Sequence, residues 1–202
     1  MYLFERSRVL QVHFNKTAGT SLRACLESAF GEQSQMVHGK HNSVREAFKI
    51  FGDSWHFVTT IRNPYERLVS LQAHRKKRFL EGERGLSTGR LKNAHDLTFK
   101  DWLYHDLLPS YRKGVDMDQP LSKLLSISQP ALEKIALIKV ENFSAEMTLF
   151  LKKFKIECSV PNMCLNTSPH LYWRQYYDEE ALRIVFEWDR WVFECFYPEL
   201  IP

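Results

Sequence analysis

Apolar residues along the chain recur with two periods, one typical of strands and one typical of helices. Short β-branched and aromatic runs predict strands at residues 8–14, 35–38, 56–61 and 136–141. Apolar positions three and four apart predict helices at residues 20–30, 43–51, 65–80, 98–108, 130–134, 143–154 and 178–195. Strands that alternate with helices favour an α/β fold, in which helices cover both faces of a central parallel sheet.

Two segments depart from this alternation. Residues 81–96 are polar and rich in Gly, Arg, Lys and Ser, without a hydrophobic period, which predicts a mobile loop that helps to select the substrate. Residues 109–120 predict a second loop. A chain of 202 residues that is 44% hydrophobic suits one globular domain over residues 1–202.

Composition limits where in the cell the protein is expected to lie and which metal sites it is expected to contain. No run approaches the roughly 20 apolar residues of a membrane-spanning helix. The first residues lack the plan of a signal peptide, so a cytoplasmic protein without a membrane partner is expected. Cys25, Cys158, Cys164 and Cys195 form no Cys-x-x-Cys pair, which disfavours a zinc site. Cys158 and Cys164 are near enough for a disulfide; free thiols are favoured, because Cys25 and Cys195 lie in apolar helical patterns that predict core positions.

The turn after the first predicted strand has the composition of a phosphate site. It contains Asn15-Lys16-Thr17-Ala18-Gly19-Thr20-Ser21 and leads into a helix. Backbone N–H groups at the start of a helix have no partner within the helix and therefore attract anions. Lys16 adds a full charge, and three residues add hydroxyl donors: Thr17, Thr20 and Ser21. The common nucleotide-triphosphate loop has its lysine directly before the helical hydroxyl residue, whereas Lys16 precedes the turn's only glycine.

A second candidate phosphate site follows residues 56–61. Asn63-Pro64 predicts the start of a helix, so Arg62 lies at the carboxyl end of a strand and Ser70 about two turns into the helix. A guanidinium suits a phosphate dianion, because its planar fork makes two charge-assisted hydrogen bonds. The alternative is that Arg62 caps a strand and Ser70 is a surface residue.

These two segments resemble the phosphate sites of sulfotransferases that use 3′-phosphoadenosine 5′-phosphosulfate (PAPS). The first turn resembles their 5′-phosphosulfate loop, and the Arg62 and Ser70 pair resembles their 3′-phosphate site. Later segments follow the order found in carbohydrate sulfotransferases of the heparan sulfate 2-O-like type: Glu141-Asn142, the loop at residues 165–170, a tyrosine-acid helix and a terminal Phe196-Tyr197. The resemblance implies a P-loop-type three-layer α/β/α fold and transfer of a sulfuryl group from PAPS to a saccharide or similar hydroxyl.

The resemblance also implies residue roles. Nucleotide binding falls to Lys16, Thr17, Ala18, Gly19, Thr20, Ser21, Arg62, Ser70, Asn166, Thr167 and Ser168. Lys16 is also a candidate catalytic residue, since its ammonium would offset charge that builds on the leaving phosphate. The product would be 3′-phosphoadenosine 5′-phosphate, and no metal is needed, unlike in phosphoryl transfer. The family's Golgi members carry an N-terminal membrane anchor, so the chain looks like a soluble, bacterial-type member or a trimmed form of an anchored one.

A general base must accept the proton of the acceptor hydroxyl. Histidine suits this role, because its ordinary pKa lies near neutrality. His41 is the first candidate and His38 the second, since both follow the short strand near residues 35–38 and relatives carry a histidine there. The alternative is that His41 only caps the helix that begins near Ser43. His13 lies within a strand and is expected to be structural.

The net charge of +4 is mild, and part of it lies in the run from His74 to Arg78. A solvated helix terminus is the favoured interpretation; docking of an acidic saccharide or of nucleic acid is the alternative. No nucleic-acid motif is present, so no nucleic-acid partner is expected. Two other functions compete with the sulfotransferase: a P-loop nucleotide kinase-like phosphotransferase, and a non-catalytic nucleotide-binding module. No pattern in the sequence specifies the acceptor or the oligomeric state.

Overall fold

The computed structural model describes residues 1–39, 43–83, 88–112, 119–126, 129–157, 160 and 169–202. The chain divides into two compact units. The first contains Met1–Arg62 and Lys123–Asn166, and the second contains Asn63–Ser122 and Thr167–Pro202.

A five-stranded mixed sheet lies in the first unit. Its strands are β1 (Tyr2–Phe4), β2 (Val9–Gln11), β3 (Gln35–Met36), β4 (His56–Ile61) and β5 (Ile135–Lys139), in the spatial order β3-β1-β2-β4-β5. The strands β2, β4 and β5 are parallel neighbours. β1 is antiparallel to both β2 and β3. The predicted α/β class is confirmed. The predicted parallel pairing holds for β2, β4 and β5 only, because β1 makes the sheet mixed.

The antiparallel strand follows from a short connection. Only residues 5–8 separate β1 from β2, and the Arg8 backbone N–H donates to the Glu5 carbonyl at 3.2 Å. A parallel pair needs a crossover of a dozen or more residues, whereas a connection this short can only reverse the chain. The sequence pattern missed β1, because three apolar residues are too few to show a strand period.

Helices of the first unit pack against this sheet around one core. They are Gly19–Phe30, Val44–Phe51, Gln129–Leu132 and Phe143–Lys152, with 3₁₀ turns at Gly52–Ser54 and Val140–Asn142. The core cluster includes Phe4 and Val58 from the sheet and Leu26, Met147 and Leu151 from the helices. The four helices overlap predicted ones, and the three longer ones, Gly19–Phe30, Val44–Phe51 and Phe143–Lys152, have apolar residues three and four apart.

The second unit is helical in its described part. Its elements are Pro64–Leu80, Thr88–Asp96, Phe99–Trp102, a π-helical segment Leu103–Leu107, Leu108–Arg112, Glu179–Phe196, and 3₁₀ turns at Trp173–Tyr176 and Pro198–Leu200. A short helix, Leu121–Leu124, begins where the second unit gives way to the first. The predicted start at Asn63-Pro64 is confirmed, since the Asn63 side chain accepts a hydrogen bond from the Tyr65 N–H at 3.0 Å.

Two loop predictions are wrong in part. Thr88–Asp96 is a helix within the predicted loop 81–96, and it buries Leu91 and Ala94. Two buried residues three positions apart suffice to attach a nine-residue helix, but they are too few to show a period. Within residues 109–120, the helix Leu108–Arg112 continues past Pro109. Leu108 keeps right-handed helical backbone angles directly after the π-helical segment Leu103–Leu107, so Pro109 lies inside a continuous helical stretch that has a π turn just before it.

The two described cysteines differ in burial. Cys25 is buried in the first core, as predicted, whereas Cys195 is exposed, so its predicted core position is wrong. Val192 and Phe193 form the buried side of that part of the helix, and Cys195 falls on the opposite side. Cys158 and Cys164 lie outside the described residues. Within the described part of the chain, no helix has both the length and the apolar character to cross a membrane.

Candidate functional site

The turn between β2 and the helix Gly19–Phe30 has an unusual backbone. Lys16 and Ala18 adopt positive φ angles of 62° and 57°, whereas Asn15 and Thr17 do not. Left-handed residues in a turn can direct successive backbone N–H groups to one side, where they bind anions. Ala18 occupies the N-cap position and makes no side-chain cap, so no side chain at that position satisfies the first N–H groups of the helix.

The buried Thr17 side chain stabilises this turn through hydrogen bonds. Its side chain is fully buried, and its hydroxyl donates to the Phe14 carbonyl at 3.2 Å. The same hydroxyl lies 3.0 Å from the Thr60 hydroxyl on β4. The Thr17 hydroxyl therefore stabilises the turn, and the backbone N–H is the group of Thr17 that remains for an anion.

Gly19 lies where no side chain fits. A Cβ atom at this position would lie 2.6 Å from Nδ1 of His13, whose ring is buried. The Gly19 carbonyl accepts a hydrogen bond from Nε2 of Gln11 at 2.6 Å. His13 is buried, as a structural role requires, although it lies beyond β2, which ends at Gln11. Gln11 and Thr60 were not predicted as site residues. A polar residue in a strand with a buried pattern is the sequence signal that could have identified each of them.

Arg62 lies at the end of β4 and contacts this turn. Two hydrogen bonds join the chain just after β2 to the parallel strand β4. The Val12 N–H donates to the Val58 carbonyl at 2.9 Å, and the Thr59 hydroxyl donates to the Val12 carbonyl at 2.7 Å. Beyond these bonds, Nη1 of Arg62 donates to the Lys16 carbonyl at 3.4 Å. Arg62 and Lys16 are both partly exposed. The structure therefore brings the two predicted phosphate-binding cations to one edge of the sheet.

The other residues predicted to bind the nucleotide differ in burial and in the unit to which they belong. Thr20 is partly exposed in the first turn of its helix, whereas Ser21 is fully buried. Ser70 lies in the second unit on Pro64–Leu80 and is 3% exposed, so the alternative of a surface residue is wrong for it. Asn166, Thr167 and Ser168 lie outside the described residues.

Of the two candidate bases, only His38 is described. Its side chain is exposed, and its ring meets the Phe51 ring edge-on at 6.0 Å between centroids. His41 lies outside the described residues. The cap of the helix Val44–Phe51 is Ser43, whose hydroxyl accepts from the Glu46 N–H at 3.2 Å while its own N–H donates to the Glu46 carboxylate at 2.8 Å. This capping box occupies the position that the alternative interpretation gave to His41.

The basic run of the helix Pro64–Leu80 is only partly solvated. Arg75 is buried and pairs with Asp106 at 3.4 Å, so it belongs to the interior of the second unit. Lys77 pairs with Glu81 at 3.7 Å. Arg78 bonds to Glu83 and thereby lowers the pKa of that carboxyl. Carboxylates thus offset three of the cations, which weakens the case for a nucleic-acid surface.

Comparisons with protein-family models, curated proteins and solved structures find no match to the chain. The resemblance to sulfotransferases therefore depends on the motifs alone. Within the described ranges, no group of three or more His, Cys, Asp or Glu side chains is arranged to hold a metal ion.

Proposed function

We propose that the chain is a sulfotransferase that moves a sulfuryl group from PAPS to a hydroxyl group of a saccharide or similar glycan. One observation carries this proposal: the hydrogen bond from Arg62 to the Lys16 carbonyl. The two residues come from motifs that are 46 positions apart and that resemble the same family separately. They meet at the carboxyl ends of neighbouring parallel strands, which is where open α/β sheets bind ligands. A P-loop-type three-layer fold is part of the same proposal.

The turn residues 16–21 would hold the 5′-phosphosulfate. Backbone N–H groups of the turn and the Thr20 hydroxyl would donate to it, and the Lys16 ammonium would offset charge on the leaving oxygen. Arg62 would bind a phosphate with its guanidinium fork. Ser70, Asn166, Thr167 and Ser168 keep the nucleotide-binding roles that the resemblance implies.

In the transfer step, the acceptor oxygen bonds to sulfur while the bond from sulfur to the phosphate oxygen breaks. The acceptor proton passes to a base, for which we propose His41, with His38 as the second candidate. The electron pair of the broken bond stays on the phosphate, beside Lys16. The protein's contribution is to position the groups in line and to stabilise the charge that develops.

Calorimetry tests the nucleotide site. We expect 3′-phosphoadenosine 5′-phosphate to bind without metal, and Arg62→Ala to weaken binding by about tenfold or more, because a charge-assisted bidentate contact is lost. Arg62→Lys should recover only part of the loss, since an ammonium cannot make the planar contact. Arg45→Ala is the matched control, because Arg45 is an exposed arginine of the same unit on Val44–Phe51.

Two results would contradict the proposal. Binding of ATP with Mg²⁺ in preference to the 3′-phosphorylated nucleotide would favour the phosphotransferase. Equal losses from Arg62→Ala and Arg45→Ala would show that Arg62 contributes only to the overall charge.

Turnover distinguishes an enzyme from a binding module. With PAPS and a panel of saccharides, we expect transfer by the unmodified chain and its loss in His41→Ala, while the product nucleotide still binds. If His41→Ala retains transfer, the same measurement on His38→Ala tests the second base. A chain that binds the nucleotide but sulfates nothing in the panel would support the non-catalytic module.

A further inference from the structure

A cavity of about 570 Å³ lies within the second unit, along one side of the helix Pro64–Leu80. Its walls include Val69, Ala73, Lys76, Leu80, Pro169 and Tyr176. A volume of this size is typical of sites for small organic molecules. None of these residues belongs to the proposed nucleotide site, so the cavity raises a separate question of what it binds.

Most polar groups of the walls are already bonded within the protein. The Tyr176 hydroxyl accepts from the Leu171 N–H at 3.2 Å, and Nε2 of Gln72 donates to the Leu97 carbonyl at 3.2 Å. His170 donates through Nδ1 to the Leu171 carbonyl at 2.8 Å, and its Nε2 lies 3.5 Å from the Glu66 carboxylate. The surface that the cavity presents to a ligand is therefore mainly carbon.

Lys76 is the cation of the cavity wall that differs from the other polar wall groups. Lys77 pairs with Glu81 at 3.7 Å, whereas the neighbouring Lys76 forms no ion pair or hydrogen bond with any residue that the structure describes. Lys76 is also partly buried, so its stem lies along apolar surface and its ammonium is less screened than one in bulk water. The cavity thus combines an apolar wall with one cation that has no counter-ion among the described residues.

We infer that this cavity binds an organic anion with a flat apolar body, such as an aryl carboxylate or aryl sulfate. The ring system would lie against Val69, Ala73 and Leu80, and the anion would contact the Lys76 ammonium. A neutral saccharide suits the cavity less well, because its hydroxyls need hydrogen-bond partners and most wall groups already have one. The inference does not depend on the proposed sulfotransferase activity.

Calorimetry with 2-naphthoate and 2-naphthamide tests this inference, because the two probes share a ring system and differ in charge. We expect saturable binding of 2-naphthoate and weaker binding of the amide. Lys76→Met keeps the length of the side chain but removes its charge, and should weaken 2-naphthoate binding about tenfold. Lys77→Met is the matched control, with less than about a twofold effect, since Glu81 already offsets Lys77.

A second variant tests the place of binding. Ala73→Phe fills the cavity from a partly exposed wall position and should abolish binding of both probes; circular dichroism checks that it folds. If it does not fold, the Lys76→Met and Lys77→Met comparison still decides. Absence of 2-naphthoate binding up to about 10 mM, equal affinities for the two probes, or equal losses in the two lysine variants would each overturn the inference.

Discussion

At the scale of single residues, the candidate phosphate turn carries conformational strain. Lys16 and Ala18 are not glycine, yet both take left-handed φ angles, which costs on the order of 1–3 kcal/mol for each residue. Buried contacts from Thr17 and Gly19 hold the turn in this form. Backbone strain that the surrounding structure maintains is typical of ligand sites, so these contacts are the first place to test the turn.

Substituting Gly19 with alanine should damage the turn. The new Cβ would lie 2.6 Å from the buried His13 ring, so the ring or the backbone must move. We expect the free energy of unfolding to fall by about 1–3 kcal/mol, and 3′-phosphoadenosine 5′-phosphate to bind more weakly. Chemical denaturation and calorimetry measure the two effects.

Gly89→Ala is the control for this substitution. Gly89 lies in the helix Thr88–Asp96. Apart from its chain neighbours and the helix backbone, no atom of the described residues lies within 4 Å of a Cβ placed there. Alanine should raise stability there by up to about 1 kcal/mol, because it favours helix more than glycine does. The account of the turn is wrong if Gly19→Ala behaves like Gly89→Ala.

At the scale of elements, a buried ion pair anchors the π-helical segment Leu103–Leu107. Asp106 within this segment pairs with Arg75 of the helix Pro64–Leu80 at 3.4 Å, and both side chains are only 7% exposed. Asn93 of Thr88–Asp96 donates to the same carboxylate at 2.9 Å. One carboxylate therefore connects three helical segments of the second unit.

Asp106→Ala should destabilise the second unit strongly. The substitution leaves the buried Arg75 guanidinium without this carboxylate, and removing one partner of a buried pair costs about 3–5 kcal/mol. The free energy of unfolding from urea denaturation measures the loss. Replacing both Arg75 and Asp106 with leucine should cost less than Asp106→Ala alone, since no uncompensated charge remains.

The exposed pair of Lys92 and Asp96 provides the comparison. It lies on the surface of the same unit, and its charges are screened by solvent. Asp96→Ala should therefore have a much smaller effect than Asp106→Ala. Similar effects of the two substitutions would show that the pair with Arg75 contributes little.

At the scale of the whole molecule, residues far apart in the chain meet around Tyr65. Its ring stacks on Trp173 at 4.9 Å and packs against Phe193 at 4.7 Å. Its hydroxyl donates to the Leu182 carbonyl, 117 positions away, and the Tyr177 hydroxyl donates to the Tyr65 carbonyl. Burial raises the pKa of Tyr65 from 10.0 to about 12. The aromatic cluster therefore makes stability depend on alkaline pH.

Stability should fall as the pH rises from 10 towards 12. In this range the unfolded chain releases the Tyr65 proton while the folded chain retains it, so proton loss favours unfolding. Tyr65→Phe should cost about 1 kcal/mol at pH 7, through the lost hydrogen bond to Leu182, and should reduce the alkaline fall. Urea denaturation at several pH values measures both. A fall of unchanged steepness in Tyr65→Phe would contradict this assignment.

Local patterns predicted much of the fold and located the candidate site. The strand β4, the cap at Asn63 and the helix Val44–Phe51 were predictable, because each depends on residues close together in the chain. The helix Thr88–Asp96 was missed, since its stability depends on tertiary packing of two apolar residues. The burial of Arg75 was missed for a related reason: its counter-ion lies 31 positions away.

The sequence by itself determined the α/β class and the positions of the Lys16 turn and Arg62, because periodicity and turn chemistry act over a few residues. Only the tertiary structure decided that β1 is antiparallel, that the Thr17 hydroxyl is bonded within the protein, and that Arg62 contacts the Lys16 carbonyl. The latter two contacts join residues more than 40 positions apart, and β1 was too short to show a period. No local window encodes such contacts, because they form only when strands pair and side chains are buried together.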